Sequence, residues 1–255
     1  MKIAVSGKGG VGKTTVAAAL ARMFSAAGKR VLAIDADPVA SLANSLGIPD
    51  SDSIVPISEM KEEIEKRTGA KPGTFGAFFK MNPKVDDLPD LLYKEKDGVR
   101  LMVMGTVDTG GSGCVCPESV LLKALVTHLL LGRDEVVILD LEAGVEHLGR
   151  GTAHAVDLML AVVEPGTRSL EAARQIRKLA SDIGIKNVAI VANKVRSERD
   201  LDMLKKSLSD FDFLGAIPYD DAIIESDLSG EQPYSDGRFP DALNEIFERI
   251  QKYAR

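Results

Sequence analysis

The apolar residues of the chain fall into short runs separated by longer stretches of helical spacing. Seven runs read as strands: Lys2–Ser6, Arg30–Asp35, Arg100–Met104, Glu135–Asp140, Leu158–Val163, Asn187–Asn193 and Phe211–Ile217. Most are rich in Val, Ile and Leu, as in strands covered on both faces. Between most of them lie stretches that read as helices: Lys13–Ala27, Glu118–Leu131, Ser169–Ile183, Glu198–Ser209 and Asp241–Ala254. This alternation predicts an α/β fold, a mainly parallel sheet with right-handed connections and helices on both faces. Residues from about 48 to 98 break the rhythm with several prolines and glycines, a charged helix over Ser58–Thr68 and the segment Phe78–Pro89. That stretch is too short and too polar to own a good core. The expectation is therefore one domain, 1–255, carrying an insertion at about 48–98.

The turn after the first strand brings in chemistry. Gly7-Lys8-Gly9-Gly10-Val11-Gly12-Lys13-Thr14-Thr15 fits G-x-x-x-x-G-K-[ST] between a predicted strand and a predicted helix, which is the context the motif needs. Glycines let backbone amides wrap a phosphate, and the helix N-terminus aims positive potential at it. Gly9, Gly10, Val11, Gly12, Lys13, Thr14 and Thr15 are thus the expected nucleotide-binding residues, with Lys13 reaching the β- and γ-phosphates and the Thr14 hydroxyl ligating Mg²⁺. A glycine-rich turn with no ligand is the plainer alternative, and motif and position together weigh against it. Asp35 and Asp37 end the second strand, where open α/β sheets bind ligands. They could orient a water or hold Mg²⁺ through water, or be solvated acids of a turn.

The segment Lys8-Gly-Gly-Val-Gly-Lys13-Thr-Thr resembles the deviant Walker A motif of the MinD/ParA/nitrogenase-iron-protein ATPases, P-loop NTPases of the SIMIBI type. The resemblance implies ATP hydrolysis at a slow intrinsic rate and a homodimer closed by ATP. It implies that Lys8 reaches the partner's nucleotide, where a second cation can stabilise the transferring phosphoryl group as an arginine finger does. A solvated loop lysine is the alternative. It further implies that Asp37 positions the attacking water, so that Lys8, Lys13 and Asp37 form the catalytic set. Asp140, ending the run Val136–Leu139 as a Walker B aspartate does, joins Thr14 and Asp35 toward magnesium. Asp140-Leu-Glu-Ala-Gly144 resembles the second switch, with the Gly144 amide sensing the γ-phosphate, although Glu142 replaces the small or apolar residue common in MinD and ParA relatives. The pair Asn193-Lys194 corresponds to the family's adenine-binding residues, and Ile217-Pro218-Tyr219-Asp220 to the turn that closes over the base.

The only cysteines are Cys114 and Cys116. So close a pair makes a poor structural disulfide, and in a cytosolic chain points to metal or redox chemistry. Residues two apart in extended backbone face the same side, so both sulfurs could bind one soft or borderline metal. Two thiolates do not complete a four-coordinate site, and a two-fold dimer would supply the second pair. Thiolates suit tetrahedral Zn²⁺ or square-planar Ni²⁺. The pair lies in Gly111-Ser-Gly-Cys114-Val-Cys116-Pro-Glu118, after Met104-Gly-Thr106. With Glu142-Ala-Gly144-x-Glu146-His147-Leu-Gly-Arg150-Gly151 and Met81–Asp86, these residues resemble the CooC-type ATPases. Members of that subgroup mature nickel-dependent carbon monoxide dehydrogenase, and the related AcsF type acts on acetyl-CoA synthase. The resemblance implies one Ni²⁺ or Zn²⁺ per dimer on Cys114 and Cys116, and such a nickel enzyme as client. The wider resemblance spans nearly the whole chain, and the subgroup rests mainly on residues 78–151. His147 is either an accessory ligand or, more commonly for such a residue, a loop hydrogen-bonding group.

Charge narrows the alternatives. The net charge is −6 with no clear basic stripe, so nucleic acid is not an expected partner. No stretch approaches the ~20 apolar residues of a membrane helix, and Met1–Gly7 reads as a strand rather than a basic leader, so the expected location is cytoplasmic, away from membranes. Two other classes stay in play. One is an ATP-dependent electron donor with an iron–sulfur cluster at the dimer axis, although the iron proteins use two cysteines far apart in sequence. The other is a partition or positioning ATPase using the amphipathic segment Phe239–Arg255, with Leu243, Ile246, Phe247 and Ile250 apolar. That spacing also suits a helix packed on the core, and Asp241, Glu245 and Glu248 would repel anionic lipid.

Overall fold

The computed structural model describes residues 1–37, 40–72, 78–105, 116–131, 135–142, 148, 155–229, 234 and 240–254, apart from the side chains of 52, 224 and 227–229. Among them, eight strands form one sheet: β1 (Lys2–Ser6), β2 (Val31–Ala36), β3 (Lys94–Lys96), β4 (Val99–Val103), β5 (Val136–Leu141), β6 (Leu158–Val163), β7 (Val188–Val195) and β8 (Asp212–Pro218). Their order is β3-β4-β2-β5-β1-β6-β7-β8. Neighbours are parallel except β3 and β4. The helices are α1 (Lys13–Ala26), α2 (Leu42–Ser45), α3 (Lys61–Thr68), α4 (Leu88–Leu91), α5 (Pro117–Leu131), α6 (Thr167–Ile183), α7 (Glu198–Ser207), α8 (Asp221–Ser229) and α9 (Asp241–Ile250). The seven strands expected from the apolar runs are all present, shifted by no more than two residues at either end.

Period-two alternation along the central strands divides the core between the two faces of the sheet. Leu32 and Ile34 of β2 join Leu121, Leu125 and Leu129 of α5 and Ile176 of α6 in one buried cluster. Ile3 and Val5 of β1 and Ala33 of β2 join Ala17, Leu20 and Phe24 of α1 and Leu243, Ile246 and Ile250 of α9 in the other. Ile57, Ile64 and Leu88, from the stretch that breaks the sequence rhythm, are buried with the first cluster beside Met102 and Met104. Apolar side chains of that stretch thus help to cover the sheet's outer strands.

Several local features depart from the sequence reading. The edge strand β3 was not among the expected strands because Lys94-Glu95-Lys96 shows no apolar alternation. It exists because Asp97 and Gly98, both at positive φ (51° and 74°), form the tight turn that folds it back on β4. Its lysines also discourage pairing with a further strand. The Ser58–Thr68 helix begins later than expected, as a 3₁₀ turn at Ile57–Glu59 followed by α3. The last helix gives way to a 3₁₀ turn at Gln251–Tyr253. Helix α8 was also absent from the expected set, and the Asp220 carboxylate accepts a hydrogen bond from the Ala222 amide in its first turn at 2.9 Å.

The amphipathic C-terminal segment is spent on the core. Leu243, Ile246 and Ile250 are buried, and a Cβ on Gly215 of β8 would lie 2.6 Å from Ile246 Cγ1, so helix and strand approach at glycine distance. Phe247 packs edge-on against Phe24 of α1 with ring centroids 4.7 Å apart. Among the described residues no helix is long and apolar enough to cross a membrane. Ile246→Ala is expected to destabilise the chain by about 2–5 kcal/mol through the cavity it leaves. Urea unfolding should show a lower midpoint with unchanged slope, and an unchanged midpoint would contradict this packing.

Candidate nucleotide site

Strand β1 lies where the chain order reverses, with β5 on one side and β6 on the other. Ligands of open α/β sheets bind at the carboxyl ends of the strands beside such a point. The phosphate loop begins there, and close contacts explain its glycines. A Cβ on Gly7 would sit 2.5 Å from the Val162 carbonyl of β6. Gly12, at φ 90°, would drive a Cβ into the Asn193 side-chain amide, and Gly10 is at φ 80°. Val11 is fully buried and anchors the loop between these limbs. Gly12 precedes α1, and its carbonyl accepts from the Val16 amide at 3.0 Å.

Asn193 and Lys194, at the end of β7, hold the outer side of the loop. The Asn193 amide donates to the Val11 carbonyl at 2.8 Å, and the Lys194 ammonium donates to the Gly10 carbonyl at 2.6 Å. Lys194 adopts φ 57°, a conformation that strains a side-chain-bearing residue and directs its amine back over the loop. A pocket opens beside them, lined by Gly12, Thr15, Val16, Asn193, Lys194, Ile217, Pro218, Tyr219, Asp220, Ile223, Tyr234 and Leu243. The structure thus brings the two expected base-binding segments together with the phosphate loop. Ile223 and Tyr234 were missed by the sequence reading. Nothing local marks Tyr234, whose carbonyl accepts from Arg22 of α1 at 2.7 Å and whose phenol is pushed up to about 12 by burial and, less, by the Asp220 charge.

The acids stand at the ends of adjacent strands. The Lys13 ammonium is buried and lies 3.4 Å from Asp37 Oδ2. Asp35 organises the turn after β2: its Oδ2 accepts from the Ser41 and Leu42 amides, both at 2.9 Å, and its Oδ1 from the Asp37 amide at 3.2 Å. Burial raises its affinity for a proton, and these amides oppose the rise. The Ser41 hydroxyl donates to the Thr14 hydroxyl at 3.4 Å. Asp140 is fully buried at the end of β5; no hydrogen bond of good geometry reaches its carboxylate among the described residues, and the Thr14 hydroxyl approaches it only as a weak donor. Burial pushes this carboxyl up to about 7; the Thr14 hydroxyl and Lys13 charge oppose the rise, while Asp35 and Asp37 add to it. A buried carboxylate with no strong donor of its own, beside a threonine hydroxyl, is a fitting oxygen donor set for Mg²⁺.

Lys8 extends to Glu164 of its own chain, with Nζ 3.3 Å from Oε1. Glu164 follows β6 and was missed; its place just past a strand's carboxyl end, beside β1, was the available signal. Cys116 immediately precedes α5, where its sulfur accepts from the Ser119 amide at 3.4 Å and its own amide donates to the Ser119 hydroxyl at 3.3 Å. This reciprocal cap fixes one of the two cysteines at a helix N-terminus. Cys114, Gly144 and His147 lie outside the described residues. Among the described residues no group of three or more His, Cys, Asp and Glu side chains is arranged to hold a metal ion.

Fold and loop together define a P-loop nucleotide-binding protein built on a mainly parallel sheet. The chain belongs to the CobQ/CobB/MinD/ParA nucleotide binding domain family, which it matches over residues 2–234. It is 49% identical over 255 residues to an uncharacterized ATP-binding protein of Methanocaldococcus jannaschii, covering 99% of this chain and 98% of that one. It is also 49% identical over 236 residues to the carbon monoxide dehydrogenase accessory protein CooC of Rhodospirillum rubrum, covering 92% and 89% of the two chains. Among solved structures, MinD of Pyrococcus horikoshii in complex with Mg-ADP superposes with a TM-score of 0.68 at 22% identity, covering 100% of this chain and 98% of that one.

The Asp140 environment has a measurable consequence. Its carboxyl is raised from 3.8 to about 7 in the folded chain, so the fold favours the protonated form. With neither nucleotide nor Mg²⁺ added, Asp140 should cost stability progressively as pH rises from about 4 to about 7, by up to a few kcal/mol. Asp140→Asn lacks this titration. Chemical denaturation across that range should show the wild-type stability falling relative to the variant, whereas parallel pH profiles would contradict the assignment.

Proposed function

We propose that the chain is an ATP-hydrolysing accessory factor that works as a homodimer and delivers nickel to carbon monoxide dehydrogenase or acetyl-CoA synthase. The observation that carries the client is the 49% identity to CooC over 92% of the chain, in a sequence that also holds Cys114 and Cys116. The nucleotide part rests on the phosphate loop and the acids around it. Nickel, or zinc in its place, is cargo held by the two cysteines of both copies, one ion per dimer.

Hydrolysis follows from an exchange of partners within the site. Lys13 is paired with Asp37 at 3.4 Å. The β- and γ-phosphates of ATP, carrying more charge, take over the ammonium. Asp37 is then released to accept a hydrogen bond from a water in line with the γ-phosphorus. Water oxygen bonds to phosphorus as the bond to the ADP oxygen breaks, and a proton leaves the water toward phosphate or solvent. Thr14, Asp35 and Asp140 would hold Mg²⁺, which would supply positive charge to the phosphate oxygens as that bond breaks. Asn193 and Pro218 hold the base, and Lys8 of a second copy adds a cation to the phosphoryl group. Gly144 is proposed to report the γ-phosphate through its amide.

The strand that precedes Cys116 lies close in the sheet to the strands that carry the nucleotide acids. Cys116 follows β4, which pairs with β2, and β2 pairs in turn with β5; β2 and β5 end in the Asp35 and Asp140 regions. The Met104 amide, just past β4, donates to the Asp35 carbonyl at 2.8 Å. Closure driven by ATP can therefore reach the cysteines through adjacent strand ends.

Nickel and zinc analysis alongside molecular mass, done anaerobically with ATP, should give about one metal per dimer. Cys114→Ser and Cys116→Ser should each remove it, and unchanged metal content in either would overturn the shared site. Lys8→Ala should bind ATP with near wild-type affinity yet lose about tenfold or more in turnover and dimer formation. Dimerisation and turnover equal to wild type would show that Lys8 does not act across the interface.

A further inference from the structure

We propose that Glu164 is a positioning residue that acts through Lys8, holding its ammonium within one chain and so setting the protein concentration at which ATP closes two copies on each other. This rests on the reading of Lys8 as the residue that crosses to the second copy.

The arrangement is built rather than incidental. Glu164 is the first residue after β6, and the end of β6 is pressed against the phosphate loop, where the Val162 carbonyl occupies the space a Gly7 side chain would need. The Glu164 amide donates to the Ser169 hydroxyl at 3.0 Å, and Ser169 is buried in the first turn of α6. Pro165 and Gly166 connect the two. The backbone beneath the carboxylate is thus fixed to the same framework as the loop it faces.

From that base the carboxylate stands between two ammonium groups. Its Oε1 is 3.3 Å from Lys8 Nζ and its Oε2 is 3.9 Å from Lys194 Nζ. Lys194 is separately tied to the Gly10 carbonyl at 2.6 Å, so the group free to leave is Lys8, whose side chain is 39% exposed. An ion pair this accessible shifts an equilibrium by only about two- to fivefold. That suits a latch, because a triphosphate with several negative charges readily displaces one carboxylate held this weakly. Glu164 also brings the formal charge of this three-residue cluster from +2 to +1, which lessens repulsion when two loops meet without nucleotide between them.

Two readouts test the proposal on the full chain. In the absence of nucleotide, amine acylation followed by peptide mass spectrometry should label Lys8 about two- to fivefold faster in Glu164→Gln than in wild type, with exposed Lys29 unchanged as internal control. With a non-hydrolysable ATP analogue, sedimentation velocity should show the variant dimerising at about two- to fivefold lower protein concentration. Glu164→Asp should return both readouts toward wild type, and the dimerisation effect should vanish in a Lys8→Ala background. Unchanged labelling, or weaker dimerisation in Glu164→Gln, would overturn the proposal. Faster labelling in a chain whose wild type never dimerises with the analogue would overturn it differently, by removing the cross-copy role of Lys8 on which it rests.

Discussion

The structure depends on how closely the phosphate loop is allowed to approach the sheet. Gly7 meets the β6 backbone with no room for a side chain, and Gly12 meets the Asn193 amide in the same way. These contacts fix where the loop amides point, and α1 continues from them into the core. The same closeness brings Lys13, Asp37 and Asp140 around one small volume at the carboxyl ends of the central strands. A bulkier residue at either glycine would disturb packing and site together, because the same contacts seat the loop and aim its amides.

Burial then determines the electrostatics. Asp35 is supplied with three backbone amides and organises the turn behind it. Asp140, equally buried, is given no backbone amide and only the weak approach of the Thr14 hydroxyl, and its proton affinity is far above that of an ordinary carboxylate. Two aspartates of similar burial thus differ in what already holds them, Asp35 being tied to backbone amides while Asp140 leaves its oxygens open to a cation. Lys13 and Asp37 satisfy each other at a distance that leaves both ready to change partners. This pre-arranged charge is where a phosphoryl-transfer site gains most of its effect, since little covalent work falls to the protein.

Much of this was legible in the chain. The β-rich runs placed seven strands because strands buried on both faces need continuous apolar residues, and the glycine–lysine motif announced itself by its position between strand and helix. The edge strand was hidden because its residues face solvent and are held by a turn; the Asp97-Gly98 pair was the mark it left in the sequence. Tyr234 and Glu164 were hidden for another reason. Each reaches its site through folding that joins distant segments, and a single polar or aromatic residue carries no periodicity. The C-terminal helix shows the limit of amphipathic pattern: the stripe Leu243, Ile246 and Ile250 suited a membrane surface or a core, and its burial, with the close approach of Gly215, shows that the core receives it.

The central claim is that nucleotide and metal share one closed dimer, and it is tested by their thermodynamic coupling. Nickel affinity should be measured by titration with and without a non-hydrolysable ATP analogue, and analogue affinity with and without nickel. If both ligands select the same closed dimer, each tightens the other by the same factor at a given protein concentration. Affinities that are independent of each other would contradict the account and separate the cysteines from the ATP cycle.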